Sequence, residues 1–228
     1  MSTLSGGPNI IVDGLVLYLD ASNTKSYIPG TTVWNDISKT QLISSLVNGP
    51  TYSSANGGSI VFDGVNDYTT QPFDPTGLLE YTIEFWAKSY ITGSNTALAG
   101  NLAGGTYIRT NFLSDGTTLN VLMFVDGVTN DGFLSTALIL TPERLLGYNH
   151  YAFTFKDSVN MTFYFNGALR NNNVPLSTGG FSTWYRGIGI YAGMCWNGEI
   201  ANTKIYNRAL SATEVGQNFN STRSRFGI

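Results

Sequence analysis

The stretch TIEFWAKS, residues 82–89, decides the fold class of this sequence. Its side chains alternate in character, with Ile83, Phe85 and Ala87 on one side and Thr82, Glu84, Trp86 and Lys88 on the other. A period of two is the pattern of a β-strand, because successive side chains point to opposite faces of a sheet. The stretch therefore predicts a strand with one face on a hydrophobic core and a second, partly exposed face.

Similar alternation elsewhere predicts further strands joined by tight turns. Residues 119–125 alternate in the same way, and Asp126-Gly127 follows them as a turn signal. Residues 151–155 and 161–165 each carry large apolar side chains at every second position, so the two segments are predicted to pair as a hairpin. Asn166-Gly167 supplies the next tight turn, and turns of this length join antiparallel strands.

Only two places are typical of helices, and both are short. Thr141-Pro142-Glu143 predicts one turn ending at Leu146, because proline is favoured at the first helical position. Residues 211–214, Ser-Ala-Thr-Glu, match a capping box and predict one or two helical turns that run toward Phe219.

The composition agrees with an all-β chain of 228 residues. Aromatic residues make up 13% and charged residues only 12%, about half the usual charged share, while 26 glycines provide for many turns. Sandwiches of this length fold around one core. We therefore predict one antiparallel β-sandwich over residues 10–219, between a flexible arm at 1–9 and a C-terminal tail at 220–228.

Charge and cysteine content weigh against several classes of protein. The net charge is −3, the pI is near 5.0 and no lysine–arginine cluster is present, so nucleic acid is not an expected partner. No basic residue precedes Lys25, which predicts no signal peptide, and the apolar run 10–12 is too short to span a membrane. Cys195 is the single cysteine and is predicted to be a small buried hydrophobic residue.

Four segments in order resemble the laminin G-like, concanavalin A-like jelly-roll superfamily. They are FDGVNDY at 62–68, YTIEFWA at 81–87, the hairpin HYAFTF with FYFNG at 150–155 and 163–167, and the closing strand and turn at 197–211. This resemblance extends over about residues 10 to 219 and implies a concanavalin A-like sandwich. The superfamily includes lectins, hydrolases, adhesion modules and capsid parts, so the fold alone does not decide the function.

The opening GLVLYLDA at 14–21 and the ending RFGI at 225–228 resemble stand-alone jelly-roll proteins of tailed-bacteriophage virions. That resemblance implies a non-enzymatic structural protein, either a capsid decoration (cement) protein or a tail or fibre component. The implied partners are the major capsid or tail protein and further copies of the chain, with a trimer suited to a three-fold capsid site. The implied location is the virion, assembled in the host cytoplasm.

Some superfamily members are glycoside hydrolases with a Glu-x-Asp-x-Glu strand, and Glu80 and Glu84 have the corresponding outer spacing. Thr82 stands at the middle position, and the two glutamate Cα atoms of such a strand are about 13 Å apart. We therefore expect no catalytic pair, with Glu84 on an exposed or groove-lining face. No Gly-x-Ser-x-Gly motif accompanies His150, which is predicted to be structural.

The resemblance implies calcium as the candidate cofactor, because laminin G-like and pentraxin-like members often bind this ion through loop carboxylates. The candidate carboxylate pair is Asp63 and Asp67. The loop 192–196 carries no acid where pentraxin-like members have a cluster, and Ala201 stands where many relatives have aspartate. We therefore expect no metal and no cofactor, with Asp67 capping the turn at Asn66 through local hydrogen bonds.

Glycan binding is the alternative function, since exposed aromatic rings stack on sugars. The candidates are Tyr107, Trp184, Tyr185 and Tyr191. Trp196 occupies a family core position and is expected to pack in the interior. A glycoside hydrolase remains the weaker alternative.

Overall fold

The structure is a computed structural model that describes residues 9–74, 77–90, 95–100, 107–112, 118–125, 132–139, 141, 146–156, 160–173 and 187–228. Its strands are β1 (Leu15–Asp20), β2 (Val33–Asn35), β3 (Ile43–Val47), β4 (Thr51–Ser53), β5 (Ser59–Asp63), β6 (Tyr68–Thr70), β7 (Glu80–Ser89), β8 (Asn95–Gly100), β9 (Tyr107–Phe112), β10 (Thr118–Val125), β11 (Gly132–Ile139), β12 (Asn149–Lys156), β13 (Asn160–Phe165), β14 (Ala168–Asn173), β15 (Gly187–Ile188), β16 (Ile190–Tyr191), β17 (Met194–Cys195) and β18 (Asn197–Tyr206). One α-helix, α1, spans Ala212–Thr222, and 3₁₀ turns span Ala55–Gly57 and Arg223–Phe226.

The strands form two large antiparallel sheets. The first sheet has the order β14-β13-β12-β7-β18-β5-β4, with β1 also paired to β18. The second sheet has the order β11-β10-β9-β8-β15-β6-β3-β2, and β16 pairs with β17 beside them. Neighbours in the sheets are often far apart in sequence, as when β7 lies between β12 and β18. This arrangement is a jelly-roll sandwich, so the predicted fold class is confirmed.

The predicted hairpin is confirmed in its register. Tyr151 faces Phe165 and Phe155 faces Met161 across β12 and β13. The next turn follows at Asn166 and Gly167, whose φ angles of 52° and 75° are those of a two-residue type I′ turn. The rings of Phe153 and Phe163, which also face each other, lie 4.8 Å apart in the core.

The main hydrophobic core lies between the two sheets. Ile83 and Phe85 of β7 point into it, as the alternation at 82–89 predicts. Trp196 is fully buried there, which confirms its predicted packing role, and Cys195 is buried as predicted. Other large side chains of this core are Trp34, Phe62, Tyr81, Tyr151, Phe153 and Phe155.

The second face of β7 is buried, and the prediction that it is partly exposed is wrong for three of its four residues. Thr82, Glu84 and Trp86 have no solvent-accessible surface, whereas the Lys88 side chain is one-third exposed. Helix α1 and the residues after it cover this face. A two-residue period shows which side chains share a face, but not whether water or another element covers that face.

The C-terminal residues pack on the sandwich, so the tail predicted at 220–228 needs correction. Helix α1 begins with the predicted capping box and continues past Phe219 to Thr222. The Trp86 ring stacks on Phe219 at 5.7 Å and on Phe226 at 4.3 Å, and its Nε1 donates to the Thr222 hydroxyl at 2.8 Å. Burial of these aromatic rings holds the segment in place.

Part of the N-terminal segment is also anchored. The Ile11 N–H donates to Asn218 Oδ1 at 2.8 Å, and the Tyr206 hydroxyl donates to the Ile11 carbonyl at 3.1 Å. The arm predicted at 1–9 lies almost entirely outside the described residues, as do the turn at 126–127 and most of the helical turn at 141–146. Among the described residues, no helix has the length and apolar character needed to cross a membrane.

Candidate binding groove

Glu84, half of the candidate catalytic pair, lies sealed beneath helix α1. Its Oε2 is 3.7 Å from His150 Nε2 and 3.6 Å from Lys204 Nζ, and Asn218 Nδ2 donates to it at 3.0 Å. Burial raises the pKa of Glu84, but His150, the Lys204 ammonium and Asn218 outweigh burial and hold that pKa below its ordinary value. Glu84 is therefore a buried carboxylate held ionised by its neighbours.

Glu80 and Thr82, the other two positions compared with the Glu-x-Asp-x-Glu strand, also form structural contacts. Glu80 pairs with Lys156 at 2.8 Å, and the Thr82 hydroxyl donates to the Arg208 carbonyl and accepts from the Leu210 N–H. The expected exposed or groove-lining position of Glu84 is wrong, because helix α1 closes over it. A glycosidic bond cannot reach between Glu80 and Glu84, since retaining hydrolases need both carboxyls at the sugar.

His150 is buried beside Glu84, as its predicted structural role requires. Its ring centre lies 5.4 Å from that of Trp86 and 5.9 Å from that of Phe219. Burial lowers the pKa of His150, which outweighs the opposing influence of Glu84. The imidazole is therefore neutral at pH 7.

The carboxylates of Asp63 and Asp67 are used by backbone amides. Asp63 Oδ1 accepts from the Val65 N–H at 2.8 Å and the Asn66 N–H at 3.3 Å, and Asp67 Oδ2 accepts from the Asp63 N–H at 3.1 Å. Asp63 therefore caps the turn, which corrects the prediction that Asp67 does so; Asp67 instead accepts a local hydrogen bond from the first residue of the turn. In the part of the chain that the structure describes, no three His, Cys, Asp or Glu side chains are grouped to hold a metal ion.

Glu199 is a further structural carboxylate, on β18 in the interior of the first sheet. Tyr90 and Tyr148 donate their hydroxyls to it at 2.6 and 2.7 Å, Ser59 donates as well, and Lys88 Nζ lies 3.4 Å away. Burial raises the pKa of Glu199, but the three hydroxyls and Lys88 lower it by more, so the pKa lies below its ordinary value and Glu199 stays ionised. Its acceptor oxygens are occupied within the protein.

Among the aromatic residues predicted to stack on a glycan, Tyr191 is the one whose side chain the structure describes. Tyr191 is partly buried, and its side chain lies close against the backbone of Gly100. Trp184 and Tyr185 lie outside the described residues, as does the side chain of Tyr107.

A groove that the sequence did not reveal lies along the loop 36–42, between β2 and β3. Asp36 organises this loop, because its Oδ1 accepts from the Tyr18 N–H at 2.7 Å and the Ser38 N–H at 2.8 Å, and its Oδ2 accepts from the Leu42 N–H at 3.2 Å. The buried carboxylate therefore fixes the loop to β1 and closes it upon itself. The Asp36-x-Ser38 spacing, typical of a side-chain-capped turn, was the signal available in the sequence.

Two adjoining cavities of about 380 and 320 Å³ form the groove on either side of Gln41. Ile37, Ser38 and Gln41 line both. The first is also lined by Lys25, Asn35, Asp36, Leu42 and Ile43, and the second by Val12, Leu15 and Lys39. Gln41 has a φ of 53°, a left-handed conformation that costs a non-glycine residue energy and that clusters at functional sites.

The groove is lined by both polar and apolar side chains. The amides of Asn35 and Gln41 and the ammonium groups of Lys25 and Lys39 have no side-chain partner among the described residues. Amides offer both donors and acceptors, and Ile37 supplies apolar surface beside them. Polar groups that can orient a ligand beside apolar surface are one feature of small-ligand sites.

The fold is that of a two-sheet, antiparallel jelly-roll protein, and comparison with known proteins shows its family. Residues 56–216 match the family model described as the concanavalin A-like lectin/glucanases superfamily. The chain belongs to this superfamily. No curated protein sequence matches it.

Solved structures share its architecture at low sequence identity. The binding domain of botulinum neurotoxin DC in complex with SialylT is 13% identical to this chain, with a TM-score of 0.66. The match covers 92% of this chain and 52% of the toxin chain. The binding domain of Paraclostridial Mosquitocidal Protein 1 is 17% identical with a TM-score of 0.64, covering 91% and 52%. The chain thus spans about half the length of these toxin domains.

A third similar structure matches along its whole length. Domain 4 of AbnA, an extracellular GH43 arabinanase from Geobacillus stearothermophilus, in complex with arabinotriose, is 14% identical with a TM-score of 0.63. The match covers 92% of this chain and 100% of that domain. At such identities these likenesses show the fold alone.

Proposed function

We propose that this chain is a non-enzymatic, lectin-like binding domain that takes a glycan in the groove along residues 36–42. The observation that carries the proposal is the strained Gln41, held at the centre of a groove by a loop that Asp36 organises. A preformed loop binds a ligand without the cost of ordering itself. Strained backbone persists where the surrounding structure holds it, and such residues cluster at ligand sites.

The chemistry of the groove supports a sugar. Sugar hydroxyls donate and accept hydrogen bonds, which the amides of Asn35 and Gln41 complement, while Ile37 and Leu42 can contact the apolar face of a ring. Two proteins of similar fold have solved complexes, the neurotoxin binding domain with SialylT and the arabinanase domain with arabinotriose. For this chain we propose the same class of ligand, a glycan, and we do not transfer the binding residues of those proteins.

A binding role without catalysis is supported by the state of the acidic strand. Glu84 is fully buried and Glu80 is paired with Lys156, so the superfamily's hydrolase position carries structural carboxylates here. Neither is free to act on a bound sugar.

A glycan array followed by titration calorimetry tests the proposal. The wild-type protein is expected to bind a subset of glycans, and Asn35→Ala is expected to weaken that binding roughly tenfold, the effect of one lost hydrogen bond in a site. Asn220→Ala, at an exposed position on helix α1, is the matched control and should leave binding unchanged. No binding across the array, or equal loss in both variants, would contradict the proposal.

We also propose that the domain works in the virion of a tailed phage, as a capsid decoration protein or a tail or fibre component. The resemblance of residues 14–21 and 225–228 to such proteins motivates this setting, and the two stretches are joined by an ion pair between Asp20 and Arg225. Exposed apolar side chains at the ends of both sheets, Ile139 on β11 and Leu169 on β14, suit adhesion to a neighbouring subunit.

Mass spectrometry and cryo-electron microscopy of purified particles test this setting. Ordered density at capsid symmetry positions, in contact with the major capsid protein or with further copies, is the result expected of a decoration protein. Low copy number at the tail would indicate a tail component. Absence from particles would overturn the virion setting and leave the glycan proposal standing.

A further inference from the structure

The groove carries positive charge that no acid among the described residues neutralises. Lys25 lines one cavity and Lys39 lines the other, and neither has an ion-pair partner among the described residues. The single acid in the lining is Asp36, whose side chain is buried and already accepts backbone amides. Asp36 therefore holds the loop and does not offset the lysines at the surface.

The acids of the neighbouring segments are also engaged. Asp13 lies 3.0 Å from Arg208 Nε, and Asp20 lies 2.8 Å from Arg225 Nη1. The chain as a whole is acidic, with a formal net charge of −3. Among the described residues, Lys25 and Lys39 therefore keep their positive charge without an ion-pair partner.

We infer that the groove selects glycans that carry a carboxylate, of the uronic or sialic acid class. The inference rests on the proposed glycan-binding function and names the ligand class for that site. An ammonium group binds a carboxylate through a charge-assisted hydrogen bond, which is stronger than a bond to a neutral hydroxyl. The neighbouring amides of Asn35 and Gln41 remain for the sugar hydroxyls.

Matched pairs of acidic and neutral sugars provide the test. The probes are trigalacturonate against its methyl ester, and sialyllactose against lactose, titrated into the full chain by calorimetry. We expect at least one acid to bind roughly tenfold or more tightly than its neutral counterpart, with affinity falling as salt is raised.

Lysine variants connect the preference to the groove. Lys25→Ala and Lys39→Ala are each expected to reduce affinity for the acidic sugar severalfold more than affinity for its neutral counterpart. Arg170→Ala removes the same charge from an exposed site on β14 and is the control, with no expected effect. A preference that survives both lysine variants would overturn the inference.

Failure of this inference and failure of the proposed function give different results. If neutral glycans bind and neither acid binds more tightly, the selection is wrong and the lectin-like function stands. If no probe and no array glycan binds, the proposed function fails together with the inference.

Discussion

The Arg225 guanidinium lies 2.8 Å from the Asp20 carboxylate and so joins the C-terminal segment to the first strand. Arg225 Nε also donates to the Asn56 carbonyl at 2.6 Å, and a further guanidinium nitrogen donates to the Gly58 carbonyl. Burial raises the pKa of Asp20, but Arg225 and the hydrogen bonds from Ser22 outweigh it and lower that pKa. The chain end is thereby part of the folded unit.

We predict measurable coupling between these two residues. Arg225→Ala and Asp20→Asn are each expected to lower the free energy of unfolding by about 1–3 kcal/mol, because each leaves a largely buried polar partner without its bond. Urea denaturation of both variants and the double variant measures the coupling. Strictly additive losses would show that the pair contributes no interaction energy.

Removal of residues 223–228 tests whether the C-terminal segment is structural. The deletion takes away the Phe226 ring, stacked on Trp86 at 4.3 Å and lying 4.6 Å from the Tyr148 ring, together with Arg225. We expect a loss of about 3–5 kcal/mol in unfolding free energy, the size of a large aromatic truncation. A mobile tail would instead be removed without change in the urea midpoint.

The buried Glu84–His150 pair predicts acid sensitivity. Burial lowers the folded-state pKa of His150 below 6.5. As the pH falls through 6.5, the imidazole is therefore protonated in the unfolded chain while it stays neutral in the folded chain. The pKa of Glu84 is also lowered, so its stabilising contribution is lost at still lower pH. Stability should therefore fall as pH drops below about 6.5, by up to about 1.4 kcal/mol per pH unit for one proton.

A substitution isolates the histidine contribution. His150→Gln is expected to flatten the pH dependence of the unfolding free energy between about pH 6.5 and 5, where the unfolded histidine titrates. Glu214→Gln is the control, because the Arg208 bond lowers the pKa of Glu214 to about 2, far from that window. Since the chain has one histidine, its imidazole NMR signal should stay that of the neutral form at pH 6. A signal that titrates normally would contradict burial of His150.

We expect substitution of Gln41 by glycine to raise the free energy of unfolding and to lower the affinity for a glycan. Gln41→Gly relieves the left-handed conformation and should stabilise the fold by about 0.5–1 kcal/mol, while it removes the amide and weakens glycan binding. Ala192 has a φ of 44° away from the groove, so Ala192→Gly should give similar stabilisation with unchanged binding. Weaker binding in the Ala192 variant would place the ligand elsewhere.

The sequence predicted those parts of the fold that depend on local pattern. The alternation at 82–89, the facing residues Tyr151 and Phe165, and the capping box of Ser211 with Glu214 each involve residues close in sequence or in one register. Contacts across the chain were missed, since nothing local to Trp86 shows that Phe226 will cover it.

The candidate site was missed for a related reason. Lys25, Asn35 and Gln41 form no motif, and they share a groove only because Asp36 folds the intervening loop against β1. The left-handed conformation of Gln41 is a property of that folded loop and has no signature in the residue type. The acids and aromatic residues that stand out in the sequence, Glu84 and Trp196 among them, serve packing instead.

Glycan binding in the groove is tested most directly by an amide NMR titration of the full chain with a glycan taken from the array. We predict that shift changes concentrate at Lys25 and at residues 35–43, around the groove, and that they vanish in the Asn35→Ala variant at the same glycan concentration. Shift changes confined to another surface, or none for any glycan at millimolar concentration, would contradict it.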